Sequence, residues 1–322
     1  MPCAANSAMR IFACRFVLVL AIAQATRSDY EKFEATFNSM KFEDLELLSA
    51  ELPRVMNMLS RFAARAVCAS SRFRHCVEFF GGAGGVTTKL RDLGFQATTF
   101  DFIMDSRDDF CVLGGLMWAV WLVMTLLPGG VVIFEPTCST WLNTCRYHTK
   151  RNGLDTAGNT ERHDVASANF TAVVIEYMIQ VSQFRHVHFI LEQPLNSMLY
   201  LHIRETLLDV GAHRMVTNGG AFGFLCLKPF ELWLTCLPQH VDLIKSIIVR
   251  SKSQAKAAHD VLIAAGKMAA PKKLFKMGAK KTHTKGWSKK GWVTGSKYQK
   301  QSQVHPERFQ QALVDVVKLI VS

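Results

Sequence analysis

The chain has 322 residues, 49% hydrophobic and 20% charged, which is enough for a sizeable buried core and excludes a disordered polymer. Its formal net charge of +12 is local: thirteen lysines against the single acid Asp260 between residues 251 and 300 account for all of it, and the remainder is balanced. Nine cysteines with no C-x-x-C pair and no zinc-type Cys/His spacing argue against a metal module or a disulfide framework, and for reduced thiols.

The first 25 residues carry Arg10 and Arg15, an apolar run from Phe16 to Ala23, and Ala23-Gln24-Ala25. This is the layout of a secretory signal peptide, with an N-terminal helix as the alternative. A secretory destination follows from the first reading, a nuclear or cytoplasmic one from the second. Residues 26–75 alternate charged and apolar positions at helical spacing, which predicts a helical extension broken near Pro53.

From Cys76 to about residue 250, short apolar runs alternate with helical ones. "CVEFF" precedes "VTTKLRDLG"; "QATTFDF" precedes "LMWAVWLVMTLL"; "VVIFE" precedes "ANFTAVVIEYMIQVSQF"; "VHFILE" precedes "SMLYLHIRETLLDVG". That alternation predicts an α/β fold, a doubly wound, mostly parallel sheet with helices on both faces. Pro128-Gly129-Gly130 is expected to be a turn that separates a helix from a buried strand and rules out a membrane span. "HRMVTN" and "FELWLTC" are expected to pair antiparallel at the sheet edge. Residues 251–291 read as a Lys-rich loop or insertion, and 292–322 as a segment and helix that complete the domain, with Phe309, Leu313, Val316 and Val317 on one helical face.

The stretch Glu78-Phe79-Phe80-Gly81-Gly82-Ala83-Gly84-Gly85 lies where the first strand should turn into its helix, the place where open α/β sheets bind ligands. Four glycines there suit strained torsions or close approach, and the helix start offers backbone N–H groups to a ligand. No G-K-[ST] follows, so a triphosphate loop is excluded. Asp101, at the end of the next predicted strand, suits ribose hydroxyls.

This octapeptide resembles the acid-x-Phe-small-Gly-x-Gly-Gly signature of class I S-adenosylmethionine-dependent methyltransferases, the cytosine-5 nucleic-acid group in particular. The resemblance implies a Rossmann-like methyltransferase sheet that binds S-adenosylmethionine through Glu78, Phe80, Gly82, Gly84, Gly85, Asp101, Asp109 and Pro136, with Glu78 bracing the loop. It implies catalysis by Cys138, as the nucleophile in "EPTCSTW", by Glu192, as the carboxylate that holds a pyrimidine edge, and by Lys228, which falls on the family's first strand Arg. The chain departs from the pattern at Thr137, where a Pro is usual, and at Cys226, Gln193, Pro194 and Phe230. The resemblance covers roughly Cys76 to Thr235 plus the closing helix, and the segments from Cys138 to Phe309, taken as one string, are also similar to a set of dinoflagellate proteins with a methyltransferase-like fold.

Trp141 and Asn143 are candidate pocket residues, Cys145 a second thiol, and His148 and His163 are expected to be solvated loop histidines. Lys272, Lys273, Lys280, Lys281, Lys289 and Lys290 form a candidate DNA or RNA contact, with Trp287, Trp292 and Tyr298 placed to stack on unpaired bases. The expected function is therefore methyl transfer to a nucleic-acid base. The alternatives are an inactive binding module with this fold, and a methyltransferase acting on a small molecule or protein.

Overall fold

The computed structural model describes residues 73–105, 108–110, 113–224, 229–265 and 305–322. The N-terminal signal reading, the helical extension up to residue 72, Lys228, Cys226 and the six candidate nucleic-acid lysines lie outside these residues; the last two residues assigned to that extension, Arg74 and His75, instead open the first strand.

Six strands form one mixed sheet in the order β2-β1-β3-β4-β6-β5. They are β1 (Arg74–Phe79), β2 (Ala97–Phe100), β3 (Leu126–Phe134), β4 (His188–Pro194), β5 (His213–Asn218) and β6 (Pro229–Leu234). β1 to β4 run parallel, and β6 lies antiparallel between β4 and β5. The two C-terminal strands thus pair as expected, but β6 is an inner strand, because its Phe230, Leu232 and Leu234 are buried.

The helices are α1 (Gly85–Asp92), α2 (Leu113–Met124), α3 (Arg146–Thr149), α4 (His163–Phe184), α5 (Met198–His202), α6 (Arg204–Asp209), α7 (Val241–Ile248), α8 (Lys252–Ala264) and α9 (Glu307–Val321). Strand side chains alternate between faces, and the core divides accordingly. Val77, Phe79, Val132 and Phe134 pack under α2, α4 and α5. Cys76, Val131, Ile133 and Ile190 pack under α1, α7 and α9. The sheet is therefore covered on both sides, as the near-continuous apolar strands require.

Three expectations need correction. Pro128-Gly129-Gly130 is not a turn before the strand: it lies inside β3, where the pairing with β1 slips from Arg74↔Leu126 to Cys76↔Val131. The three residues form a bulge, with Gly129 at φ 79° and its N–H donating to His186 O at 2.7 Å. The Lys-rich region does not begin as a loop. Ser251 and Gln254 make a reciprocal capping box, and α8 follows, anchored by buried Ala255 and His259. His163 opens α4 rather than sitting in a loop.

One described helix, α4, is long and apolar enough to cross a membrane, and half of it is buried against the sheet. It belongs to the core beneath β1, β3 and β4.

Candidate functional site

The chain leaves β1 for β2 on one side and returns through α2 to β3 on the other, so strand order reverses between β1 and β3. The crevice beyond their C-terminal ends is where such sheets take ligands. The glycine bend occupies it. Phe80 sits at φ 64°, Gly82 at 56° and Gly84 at 65°, the last as N-cap of α1. No atom lies within 4 Å of where a Cβ would stand on Gly82. The other glycines answer to the protein itself: a Cβ on Gly81 would strike the Glu78 carboxyl, one on Gly84 the Thr99 hydroxyl, and one on Gly85 the Gln310 amide of α9. Gly82 is thus the one whose freedom serves the open side of the crevice.

Asp101 ties this bend to β2. Its Oδ2 accepts from Gly82 N at 2.7 Å and its Oδ1 from Ile103 N at 2.7 Å. The carboxylate is buried, and each oxygen retains a further lone pair. Asp109 is partly buried; its neighbour Asp108 is the acid that reaches Asp101, accepting from Asp101 N at 3.4 Å. Phe110 stacks on Phe100 and meets Phe80 edge-on at 5.1 Å, which fixes this corner of the crevice.

Strand alternation puts Glu78 on the α9 face, together with Cys76, and register extends the pattern. Phe79 pairs with Phe134, and Phe134 with Leu191, so the next residues, Glu135 and Glu192, stand side by side on that face. Three carboxylates therefore line the ends of three adjacent strands. Glu78 braces the exit of the bend by accepting from Thr87 N at 2.8 Å. Burial, and then the charge of Glu135, raises its pKa to about 7. His305, just before α9, enters between the other two: Nδ1 lies 3.3 Å from Glu135 Oε1, and Nε2 lies 3.8 Å from Glu192 Oε2. Phe224, Phe230 and Phe309 surround its ring edge-on. Glu192 thus faces an imidazole of its own chain.

Glu78 has a pH consequence. Its native pKa lies above the unfolded value, so between about pH 4.5 and 7 the folded state holds a proton that the unfolded chain releases, and stability falls as pH rises through that window. Glu78→Gln keeps an oxygen for Thr87 N and carries no charge. It is expected to flatten the slope and to raise stability at pH 8 by up to about 3 kcal/mol. Urea denaturation of both proteins at pH 5 and pH 8 measures it; equal slopes would contradict it.

Beyond β3, the loop carrying Pro136 and Cys138 is held from two sides. The buried Gln193 amide donates to Pro136 O, and Ser197 Oγ donates to Gln193 Oε1 at 3.1 Å. The departure at Gln193 therefore has a structural use. Arg151, also buried, donates to Thr140 O at 3.1 Å and to Asn169 Oδ1 at 2.7 Å, with its guanidinium 3.5 Å from the Trp141 ring centre. Trp141 is thus a packing residue that also edges the crevice, and burial lowers the Arg151 pKa to about 10. Cys138 is partly buried between exposed Thr137 and Ser139. Cys145 is partly buried, and Asn143, His148 and His163 are exposed.

On the α4 face, a cavity of about 280 Å³ opens between this loop, Phe80 and the first turns of α4. Phe80 and Pro136 line it; Gly82 and Asp101 do not. Two residues escaped the sequence reading: Arg151, which carries no local signal, and His305, which does. A His-Pro pair directly before an amphipathic closing helix places an ionisable ring at a helix entrance. Comparison with known proteins finds no matching family model and no matching curated protein.

Proposed function

We propose that the chain is an S-adenosylmethionine-dependent methyltransferase, with the donor held at the β1–α1 bend. One observation carries this reading: the 2.7 Å hydrogen bond from Gly82 N to Asp101, which joins an open, positive-φ bend to a strand-end carboxylate at the point where strand order reverses. The remaining lone pairs of Asp101 suit adjacent sugar hydroxyls, and the open side of Gly82 suits close approach. When bound, S-adenosylmethionine supplies an electrophilic methyl carbon on a sulfonium. Glu78 holds the bend in shape through Thr87. Phe80 and Pro136 form the wall between the bend and the α4 cavity, and Gln193 fixes Pro136.

For the acceptor, a nucleic-acid base attacked by Cys138 was the expectation from the resemblance. The contact of Glu192 with His305 favours a second reading, in which the acceptor is not a cytosine and no covalent Cys138 adduct forms. A folded chain that binds the donor and methylates nothing would be the inactive module.

Titration calorimetry of the full chain with S-adenosylmethionine tests the donor site. Saturable one-site heat is expected, and a folded protein that gives no heat ends the reading. Oligonucleotides that contain 5-fluorocytosine then test Cys138: a covalent complex, lost in Cys138→Ala, would restore the cytosine-5 reading.

A further inference from the structure

The strand ends are flanked by two chambers, one on each sheet face, and they differ in what fills them. On the α9 face, the space beside Glu135 and Glu192 is taken by His305 and its aromatic surround. On the α4 face, the room of about 280 Å³ stands open. We infer that this α4-face cavity is the acceptor chamber, and that it takes a free, uncharged, nucleoside-sized molecule rather than a phosphate-bearing strand. The acceptor role rests on the donor reading above.

Three features argue for it. The cavity shares Phe80 and Pro136 with the donor side, yet excludes Gly82 and Asp101, so a ligand inside it lies next to the bend without competing for the hydrogen-bonding groups that would hold the donor. Its walls pair flat apolar surfaces (Phe80, Pro136, Trp141) with hydroxyls (Thr137, Ser139, Thr171). Apolar faces with a few fixed polar groups are the usual furniture of small-molecule sites, and this volume is at the small end of their range. Among the described residues, the lining holds one carboxylate, Asp164, paired with Arg162 at 3.0 Å, and one imidazole, His163, and no Lys or Arg. A phosphate would gain no lysine or arginine from these lining residues, and the guanidinium of Arg162, next to the lining in the chain, is already engaged by Asp164, whereas a neutral heterocycle needs only the hydrogen-bonding rim.

The test uses the full chain and the four common ribonucleosides as probes, with binding read by ligand-observed NMR at millimolar concentration. Two variants change the cavity from the α4 side. Ala168→Leu narrows it with a good helix former, and Thr171→Val removes one hydroxyl at constant shape. Melting curves confirm that both fold. At least one nucleoside is expected to bind, at least tenfold more weakly to Ala168→Leu and severalfold more weakly to Thr171→Val, while calorimetric binding of S-adenosylmethionine stays within twofold. The inference is overturned if no nucleoside binds the parent chain, or if neither variant alters binding. It is also overturned if Ala168→Leu weakens S-adenosylmethionine in step with the nucleoside, because the cavity would then house the donor's own adenine. Nucleoside binding without any S-adenosylmethionine heat would instead remove the donor reading, and the acceptor role with it.

Discussion

Asp101→Asn is expected to weaken S-adenosylmethionine binding by roughly 10- to 100-fold and to loosen the glycine bend. Both carboxylate oxygens of Asp101 accept from backbone N–H groups, Gly82 and Ile103, each at 2.7 Å. An asparagine has one oxygen. Whichever way its amide turns, an NH₂ group faces one of the two N–H donors at hydrogen-bond distance, so one bond is lost and a buried repulsive contact takes its place. Hydrogen bonds to charged groups contribute about 1.5–3 kcal/mol, and that range sets the fold-change, because the same carboxylate would serve the ligand's hydroxyls. Gly82→Ala is the informative companion. Its Cβ would meet no atom within 4 Å, and only the φ of 56° penalises it, by about 1–2 kcal/mol. If the bend alone matters, the two variants bind alike in calorimetry. If Asp101 also contacts the ligand, Asp101→Asn is worse by about an order of magnitude. Unchanged affinity in Asp101→Asn, with a normal melt, would remove the ribose assignment.

The sheet was legible because its strands are short apolar runs and its helices carry a longer period. "HRMVTN" is β5 to the residue, and "VHFILE" falls on β4. The errors have local causes. Leu126 and Leu127 continue the apolar texture of α2, so a pattern of hydrophobicity alone does not mark where the helix ends and β3 begins. Pro-Gly-Gly has turn chemistry, and a bulge uses the same torsions as a turn, so only the partner strand tells them apart. The helix α8 is hidden by a composition reading that counts lysines, although its capping box, Ser251 with Gln254, stands in the sequence. In the site, Glu78 and Asp101 were legible because each ends a strand beside a glycine turn. For His305 only the place was legible, a His-Pro pair before a closing helix; its partners Glu135 and Glu192 are 170 and 113 residues away in the chain, and no local pattern names a contact made only when α9 docks on the sheet.

That docked imidazole should be a large single-residue stabiliser of the C-terminal ends of β3 and β4. His305→Ala leaves Glu135 and Glu192 adjacent, both more than nine-tenths buried as side chains, with the imidazole that touches both gone. Glu78 adds a third carboxyl on the same face, and its pKa of about 7 already registers the charge of Glu135. With the ring protonated, removing this member of the buried cluster costs about 3–5 kcal/mol, which for a domain of this size is a fall in melting temperature of roughly 6–20 °C. Two further variants separate charge from packing. His305→Phe preserves a ring against Phe224, Phe230 and Phe309 but brings no positive charge. If packing dominates, it recovers most of the loss. If charge dominates, it melts with His305→Ala, and Glu135→Gln added to His305→Ala restores stability by relieving the repulsion. The coupling in that double-mutant cycle is the decisive number, since neighbours that share one interaction are non-additive by 0.5–3 kcal/mol. Additive losses would mean that His305 and Glu135 do not act as a pair, and that the ring is held by its aromatic surround alone.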